Sequence, residues 1–580
     1  MNYMQGNKTN KYIVVILFLI LIAIVGFVYI RVQKAKSPKP VVKSTSTIDI
    51  TPLIVSKLQQ LVKDGSDGLY QLSIGQLQPD VIASKVTIVK ATLIPDSAAL
   101  RRLDDAQKAP DDVFTVSFDS VRITGASLAN FIHKKDVSID TIFINAPSIQ
   151  VAHTDRPYNA AQRRKDSSLT LYQKIKQHFN SIAIGAIVVK EGRFVFTLIS
   201  QKKKNTELKN VNIAIGDVKI DSSTQYDSNR FLFCKTASFT CRNYVTRTPD
   251  SLYLFKVGSF AVQADKRLLV AKDVLLDPRG NKEEFEKKLR TRNDMFTVHF
   301  PNIVCTNVDW WSLANNSRFY ADEVTIQNGL VNDYFNRALP SGPSGRKDNF
   351  PQQLVMRMSP KINIQKLNIR NLKVAYEEYN PENKQTGALT FNDITGTVAN
   401  ITNVSTTIKT HPLTVCSAKG LFMNKVPVTA SIQFNLSKMH SGAFSSQLHI
   451  GTVTNTLVNP IAEPIGMLTL KKGNIKETTV RVTGDNNQSR VKMLMLYDDL
   501  KVFPLKKQSD STRVKKKTLI GFFANTFIIK EANPAGNKAP RSPVVTAQRG
   551  NSSSFLNFLW KSILTGVVKT VGLPKKFANQ

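Results

Sequence analysis

Cysteine is scarce in this chain, four among 580 residues, and tryptophan scarcer still at three. Cys234, Cys241, Cys305 and Cys416 show no C-x-x-C spacing, which excludes the usual zinc and dithiol redox motifs. One alternative stays open, a bridge between Cys234 and Cys241 across a hairpin in an oxidising compartment. The seven histidines (133, 153, 178, 299, 411, 440 and 449) include no pair four residues apart and none beside paired carboxylates. That excludes an H-E-x-x-H metal helix. There is no G-x-G-x-x-G, no Walker loop and no G-x-S-x-G, so nothing is spaced to cradle phosphates or raise a nucleophile. Helix-turn-helix and RNP patterns are missing as well, and no nucleic-acid partner is expected. The sequence therefore predicts no enzyme, no cofactor and no metal. Acids are also in short supply: 43 Asp+Glu face 79 Lys+Arg, a net charge of +36, although only 21% of residues are charged. Such a surface suits polyanions, among them phosphate headgroups and lipopolysaccharide. With 42% hydrophobic residues, wholesale disorder is excluded.

What is present begins with a nineteen-residue run free of charge, Tyr12 to Ile30. As a helix it spans about 28 Å, close to the ~30 Å hydrocarbon core of a bilayer. Tyr12 and Tyr29 stand at its ends, where aromatic rings favour the membrane interface. Arg31 and Lys34 follow where a cleavage site would need small residues, so the run reads as a retained single-pass anchor. Lys8 and Lys11 precede it, and Arg31, Lys34, Lys36, Lys39 and Lys43 follow it. Counted literally, that would leave the body in the cytoplasm, but long domains translocate largely regardless of such counts. Charge alone leaves topology open.

Behind a short tail (1–11) and the anchor (12–30), residues 31–69 read as linker and short helix, the latter over 52–63. From about Tyr70 apolar residues recur at every second position, the mark of strands with one buried face. Short helices are expected at 169–179 and 282–289. The adjacent Trp310 and Trp311, placed on a strand, would face opposite sides. The strands also repeat. Phe114–Phe118 (FTVSF) returns as Phe296–Phe300 (FTVHF), 182 residues on, and Val121, Asp140, Ile142 and Ile144 meet Ile303, Asp322, Val324 and Ile326 at the same offset. Ser181–Phe196 is similar to Lys361–Tyr376 at an offset of 180, and Cys234 precedes Cys416 by 182. The expectation is two tandem β-modules, 70–252 and 253–446, then a β region at 447–530 and a flexible linker at 531–553. Stacked modules predict an elongated, twisted antiparallel sheet or groove.

Three stretches resemble AsmA-like proteins, a family that includes TamB-like members. They are Ser73–Asp96 (SIGQLQPDVIASKVTIVKATLIPD), Ser138–Val151 (SIDTIFINAPSIQV) and the block Ile461–Lys507 continuing to Leu519–Pro534. In the last, Gly466–Gly473 (GMLTLKKG) and Tyr497–Leu500 (YDDL) match the family's late strand phrases. The resemblance implies an anchor in the bacterial inner membrane and a body in the periplasm. It further implies an apolar β-groove serving lipid transport between membranes or outer-membrane biogenesis, with phospholipid or lipopolysaccharide as partner. Beside relatives thought to bridge the whole envelope, this chain is short. The rival reading is a non-catalytic scaffold that binds an envelope protein through a β-edge or the C-terminal helix.

That helix is expected at 554–573. Leu556, Leu559, Trp560, Ile563, Leu564, Val567, Val568 and Val571 form a stripe, Lys561, Ser562, Thr565 and Lys569 lie mainly opposite, Ser554 is the N-cap and Pro574 the stop. Either it lies at a membrane interface with Trp560, Lys561 and Lys569 at the headgroups, or it caps the open sheet. The densest basic run, Lys506, Lys507, Arg513, Lys515, Lys516 and Lys517, reads either as headgroup contact or as a solvated loop.

Overall fold

The computed structural model describes residues 51–574 except 81–83, 127–135, 161–171, 174–175, 177–179, 200–203, 228, 232, 290, 341–348, 506–528 and 551–552. The anchor at 12–30 with Tyr12 and Tyr29, and the basic run from Lys506 to Lys517, lie outside the described residues. Among the described residues no helix is long and apolar enough to cross a membrane.

Among the described residues the protein is mostly β, 58% strand, with 22 strands in mixed parallel and antiparallel pairing and few helices. The first eight strands are β1 (Tyr70–Asp80), β2 (Lys85–Pro95), β3 (Asp112–Thr124), β4 (Asp136–Asn145), β5 (Ser148–His153), β6 (Ser181–Leu198), β7 (Lys204–Ile220) and β8 (Cys234–Arg247). Next come β9 (Tyr253–Gln263), β10 (Leu268–Pro278), β11 (Asp294–Thr306), β12 (Arg318–Gln327), β13 (Leu330–Asn336), β14 (Lys361–Asn380), β15 (Gln385–Thr402) and β16 (Leu413–Phe422). The last are β17 (Val426–Asn435), β18 (Phe444–Ile450), β19 (Val453–Thr454), β20 (Leu468–Gly484), β21 (Gln488–Pro504) and β22 (Val544–Gln548). The α-helices are α1 (Thr51–Gly65), α2 (Ser97–Asp105), α3 (Lys282–Leu289), α4 (Trp310–Asn316), α5 (Pro351–Arg357), α6 (Ser405–Thr410), α7 (Asn455–Gly466) and α8 (Phe555–Val571). Two compact units divide the chain, one running to Val245 with Val257–Leu269, the other holding Thr246–Lys256 and Val270 onward.

In the first unit β1, β2 and β3 pair antiparallel in order. The two halves of β3 then pair with β5 and β4, which lie end to end and both run parallel to the long β6. β7 and β8 follow antiparallel. One face buries Ile88, Val121, Ile142, Ile182 and Ile220, with Leu58 of α1 packed into the same cluster. Each such side chain contributes roughly 1.5–3 kcal/mol on burial.

The second unit uses the same order. β11 pairs with β13 and β12 through its two halves, both run parallel to β14, and β15 and β16 follow antiparallel. β17, β18, β20, β21 and β22 extend the sheet antiparallel. Helix α8 closes over this end, its Phe555, Phe558, Leu559, Val568 and Val571 clustering with Val480, Val482, Val491 and Met493.

Long strands keep one apolar face by bulging. On β14 the inward series is Ile362, Ile364, Leu367, Ile369, Leu372, Val374 and Tyr376, so simple alternation slips by one residue twice. At the second slip Asn371 adopts φ 56° and donates from Nδ2 to Oδ1 of Asn328 at 2.8 Å. An extra residue in one strand re-aims every side chain beyond it. Positive φ at Lys90, Ala146, Glu191, Asn210 and Asp217 recurs at Asp273, Asn328, Asn371, Asp393 and Asn400, 180–183 residues later.

Several expectations are corrected. The sheet is mixed, not antiparallel: alternation looks alike in both arrangements, whereas the chain after β5 and after β13 crosses back before its next strand. Trp310 and Trp311 open α4, where Asp309 accepts the N–H of Ser312 at 2.9 Å, so helical rather than strand geometry separates them. Cys234 and Cys241 share one strand, β8, and all four cysteines are free, so no hairpin bridge forms. His153 does meet a carboxylate, Asp112, at 2.7 Å, because β3 and β5 set the two opposite each other. Helix α8 ends at Gly572 in the left-handed region, before Pro574. Helices α3 and α8 fall where the periodicity puts them; α7 was hidden by its internal Pro460 and Pro464.

Candidate functional site

Two neighbouring features of the second unit stand apart from ordinary core. The first is a row of apolar side chains across successive strands, Ile303, Ile326, Ile369, Gly396, Ala418, Ala430, Leu448, Val480 and Met493, each paired with the next. A parallel row runs Val324, Leu367, Val398, Cys416 and Ile432. A third holds Val298, Val331, Val374, Phe391 and Phe422. Leu448, Val480 and Met493 are buried, and Gly566 of α8 approaches Met493 so closely that a Cβ there would come within 2.9 Å of its Cε. Further along, Ile303, Ile326, Ile369, Leu367, Val398, Ile432, Val331, Val374 and Phe391 are only half-buried. On the opposite, polar side of these strands lies an open cavity of about 520 Å³, lined by Thr395, Ser417, Lys419, Thr429, Gln447 and His449.

The second feature is acidic. Asp294, Asp333 and Glu378 are 4%, 1% and 1% exposed, in a chain otherwise short of acids. Register brings them together: Asp333 pairs with Tyr376, while Phe335 lies between Asp294 and Glu378. The Tyr376 hydroxyl donates to Glu378 Oε2 at 2.7 Å and accepts from Asn557 Nδ2 of α8 at 2.6 Å. Arg337 Nε stands 3.6 Å from Glu378 Oε1. Among the described residues, both oxygens of Asp333, Oδ1 of Asp294, Nη1 of Arg337 and Oδ1 of Asn557 are buried without a well-formed hydrogen bond. Burial holds the Asp294 and Asp333 carboxyls well above the ordinary range, and for Asp333 the nearby Asp294 adds to the rise. Burial likewise pushes Tyr376 up, helped by Glu378. It pushes Lys561 down, Glu378 opposing. Tyr253 accepts the N–H of Phe296 at 3.2 Å, and burial raises its hydroxyl to about 12.

The structure places Trp560 half-buried against Phe335, Tyr376, Leu389, Ile461 and Ile465, and Lys561 half-buried beside Glu378. Lys569 is exposed. The helix side expected to be polar is therefore not a solvent face. Ser562 is fully buried and its hydroxyl lies 2.7 Å from that of Ser489, while Asn557 is buried on Tyr376. Of the two readings of this helix, its packing matches the sheet cap. Sequence reasoning missed the acidic patch, because Asp294, Asp333 and Glu378 are far apart in the chain and sit in ordinary strand phrases.

Compared with known proteins, the chain matches no family model and no curated protein.

Proposed function

We propose that this chain is a membrane-anchored AsmA-like envelope protein whose half-buried apolar sheet face holds lipid acyl chains, in support of lipid transport between membranes or outer-membrane biogenesis. In this reading the anchor at 12–30 sits in the inner membrane, the body lies in the periplasm, and the two units are tandem copies of one β-module. One observation carries it: adjacent rows of Ile, Val, Leu and Phe on one sheet face that remain half-buried where a closed core would hide them. Moving each methylene from water onto such a face is favourable by about 0.8 kcal/mol, so a dozen would offset much of the cost of association. The surplus of 36 positive charges favours lipids with phosphate headgroups. Holding a chain in this way requires no catalytic residue. The scaffold reading has less support, since α8 spends its faces on its own sheet.

The test is to purify the full chain in detergent and identify co-extracted lipids by mass spectrometry. Ile369→Glu and Val398→Glu put charges on the half-buried rows and should lose those lipids while the chain stays folded. No enriched lipid in the parent protein, or equal lipid in the variants, sinks the reading. Protease accessibility in spheroplasts checks the compartment.

A further inference from the structure

The acidic patch is not something this fold demands. Asp333, Tyr376 and Glu378 occupy the positions that Val151, Phe196 and Leu198 hold in the first unit, where the same parallel pairings occur. There these three positions are apolar, and Asp112, the equivalent of Asp294, meets His153. The second unit instead buries three carboxyls, and it does so beneath the helix that covers part of its apolar face.

Helix α8 is seated on the patch through named contacts. Asn557 donates to the Tyr376 hydroxyl, Trp560 packs against the cluster that holds Phe335 and Tyr376, and the charge on Lys561 is favoured by Glu378. Further along, Gly566 rests on Met493, the end of the apolar row that starts at Ile303. Lifting α8 would uncover Met493, against which Gly566 rests, and Val480 paired with it, and so extend the apolar face onto β20 and β21.

We propose that α8 is a proton-sensitive lid on that face, seated while the Asp294–Asp333 pair keeps a proton and released when the pair loses it. The proposal rests on the acyl-chain reading above, because it regulates that same face. The groups facing the pair are Tyr253 from β9, Arg292 ahead of β11, Arg337 after β13, Tyr376 and Glu378 from β14, and Ser554, Asn557 and Lys561 from the α8 end. Arg337 and Lys561 favour ionised carboxylates, but Arg337 is turned to Glu378 and burial favours the neutral amine of Lys561. Burial and the mutual repulsion of Asp294 and Asp333 favour the protonated pair. A negative charge on the buried pair, costly away from solvent, is relieved by opening the cover.

The experiment measures lid position directly. Spin labels are placed by Leu556→Cys on α8 and Leu354→Cys on α5, both exposed positions, in the full chain in detergent with Cys416→Ala. Between about pH 5 and about pH 9 the separation should shift by about 5 Å or more, one helical turn. In Asp294→Asn/Asp333→Asn, whose amides stay neutral, it should hold the acid-pH value throughout. A wild-type separation that does not move, or a double variant that moves equally, overturns the lid. Lipid content is read on the same samples. A lid that moves with no lipid bound at either pH refutes the acyl-chain reading alone, and lipid bound beneath an unmoving helix refutes the lid alone.

Discussion

Asp112 and Asp294 hold equivalent places on β3 and β11, 182 residues apart, yet their surroundings differ. Asp112 is set opposite His153 and meets its Nδ1 at 2.7 Å. Asp294 is set opposite Phe335, is 4% exposed, and shares its face with Asp333 and Glu378. One backbone plan thus carries an ordinary cross-strand pair in one unit and a buried acidic patch in the other.

Replacing Asp333 by the valine found at the equivalent position 151 should stabilise the protein. Apart from Asp294, itself an acid, no group hydrogen-bonds either carboxyl oxygen of Asp333, and a buried polar group so poorly satisfied costs free energy. Asp333→Val is expected to gain about 1–3 kcal/mol in urea unfolding followed by circular dichroism. A loss of that size would mean that the carboxyl has a partner it needs.

The pH dependence has a definite sign. Folding raises the carboxyl pKa of Asp294 and Asp333, so the folded chain binds more protons than the unfolded chain above the ordinary value of 3.8. Their contribution is fully present below that value and is lost as pH rises through the raised pKa values. Lys561 works in the opposite sense, from its lowered folded pKa up to its ordinary value of 10.5. Unfolding free energy should fall from mildly acidic to mildly alkaline pH, and Asp294→Asn/Asp333→Asn should flatten the slope.

Tyr70 and Tyr253 perform one task in both units. Each hydroxyl accepts a backbone N–H, from Phe114 at 3.1 Å and from Phe296 at 3.2 Å. Tyr70→Phe and Tyr253→Phe each leave a donor without its acceptor and should cost about 1–2 kcal/mol apiece. Because the sites are far apart in sequence and share no partner, the double variant should cost the sum. A neutral effect at both would show that water substitutes for the hydroxyls.

Gly396 is needed for close approach. A Cβ there would fall onto the Ser417 carbonyl oxygen and come within 2.8 Å of the Ala418 Cα. Gly396→Val should destabilise by about 1–3 kcal/mol, read as a lowered thermal midpoint.

The sequence by itself determined the strand-rich class, the 182-residue recurrence, and the places of α3 and α8 with its Ser554 cap. Those features are local, since alternation, helical spacing and a capping hydroxyl act over a few residues. Only the tertiary structure decided the rest. Parallel and antiparallel strands share one alternation, so β4 and β5 against β6 could not be told from hairpins. The bulge at Asn371 shifts the inward phase of β14, so inward carboxylates such as Glu378 could not be placed by counting. The buried sides of α8 are set by what lies beneath them: Ser562 reads as polar-side in the sequence, yet Ser489 supplies a partner that lets it be buried, and Tyr376 does the same for Asn557. Burial of a polar group depends on a partner from another strand, and that pairing exists only once the sheet has formed.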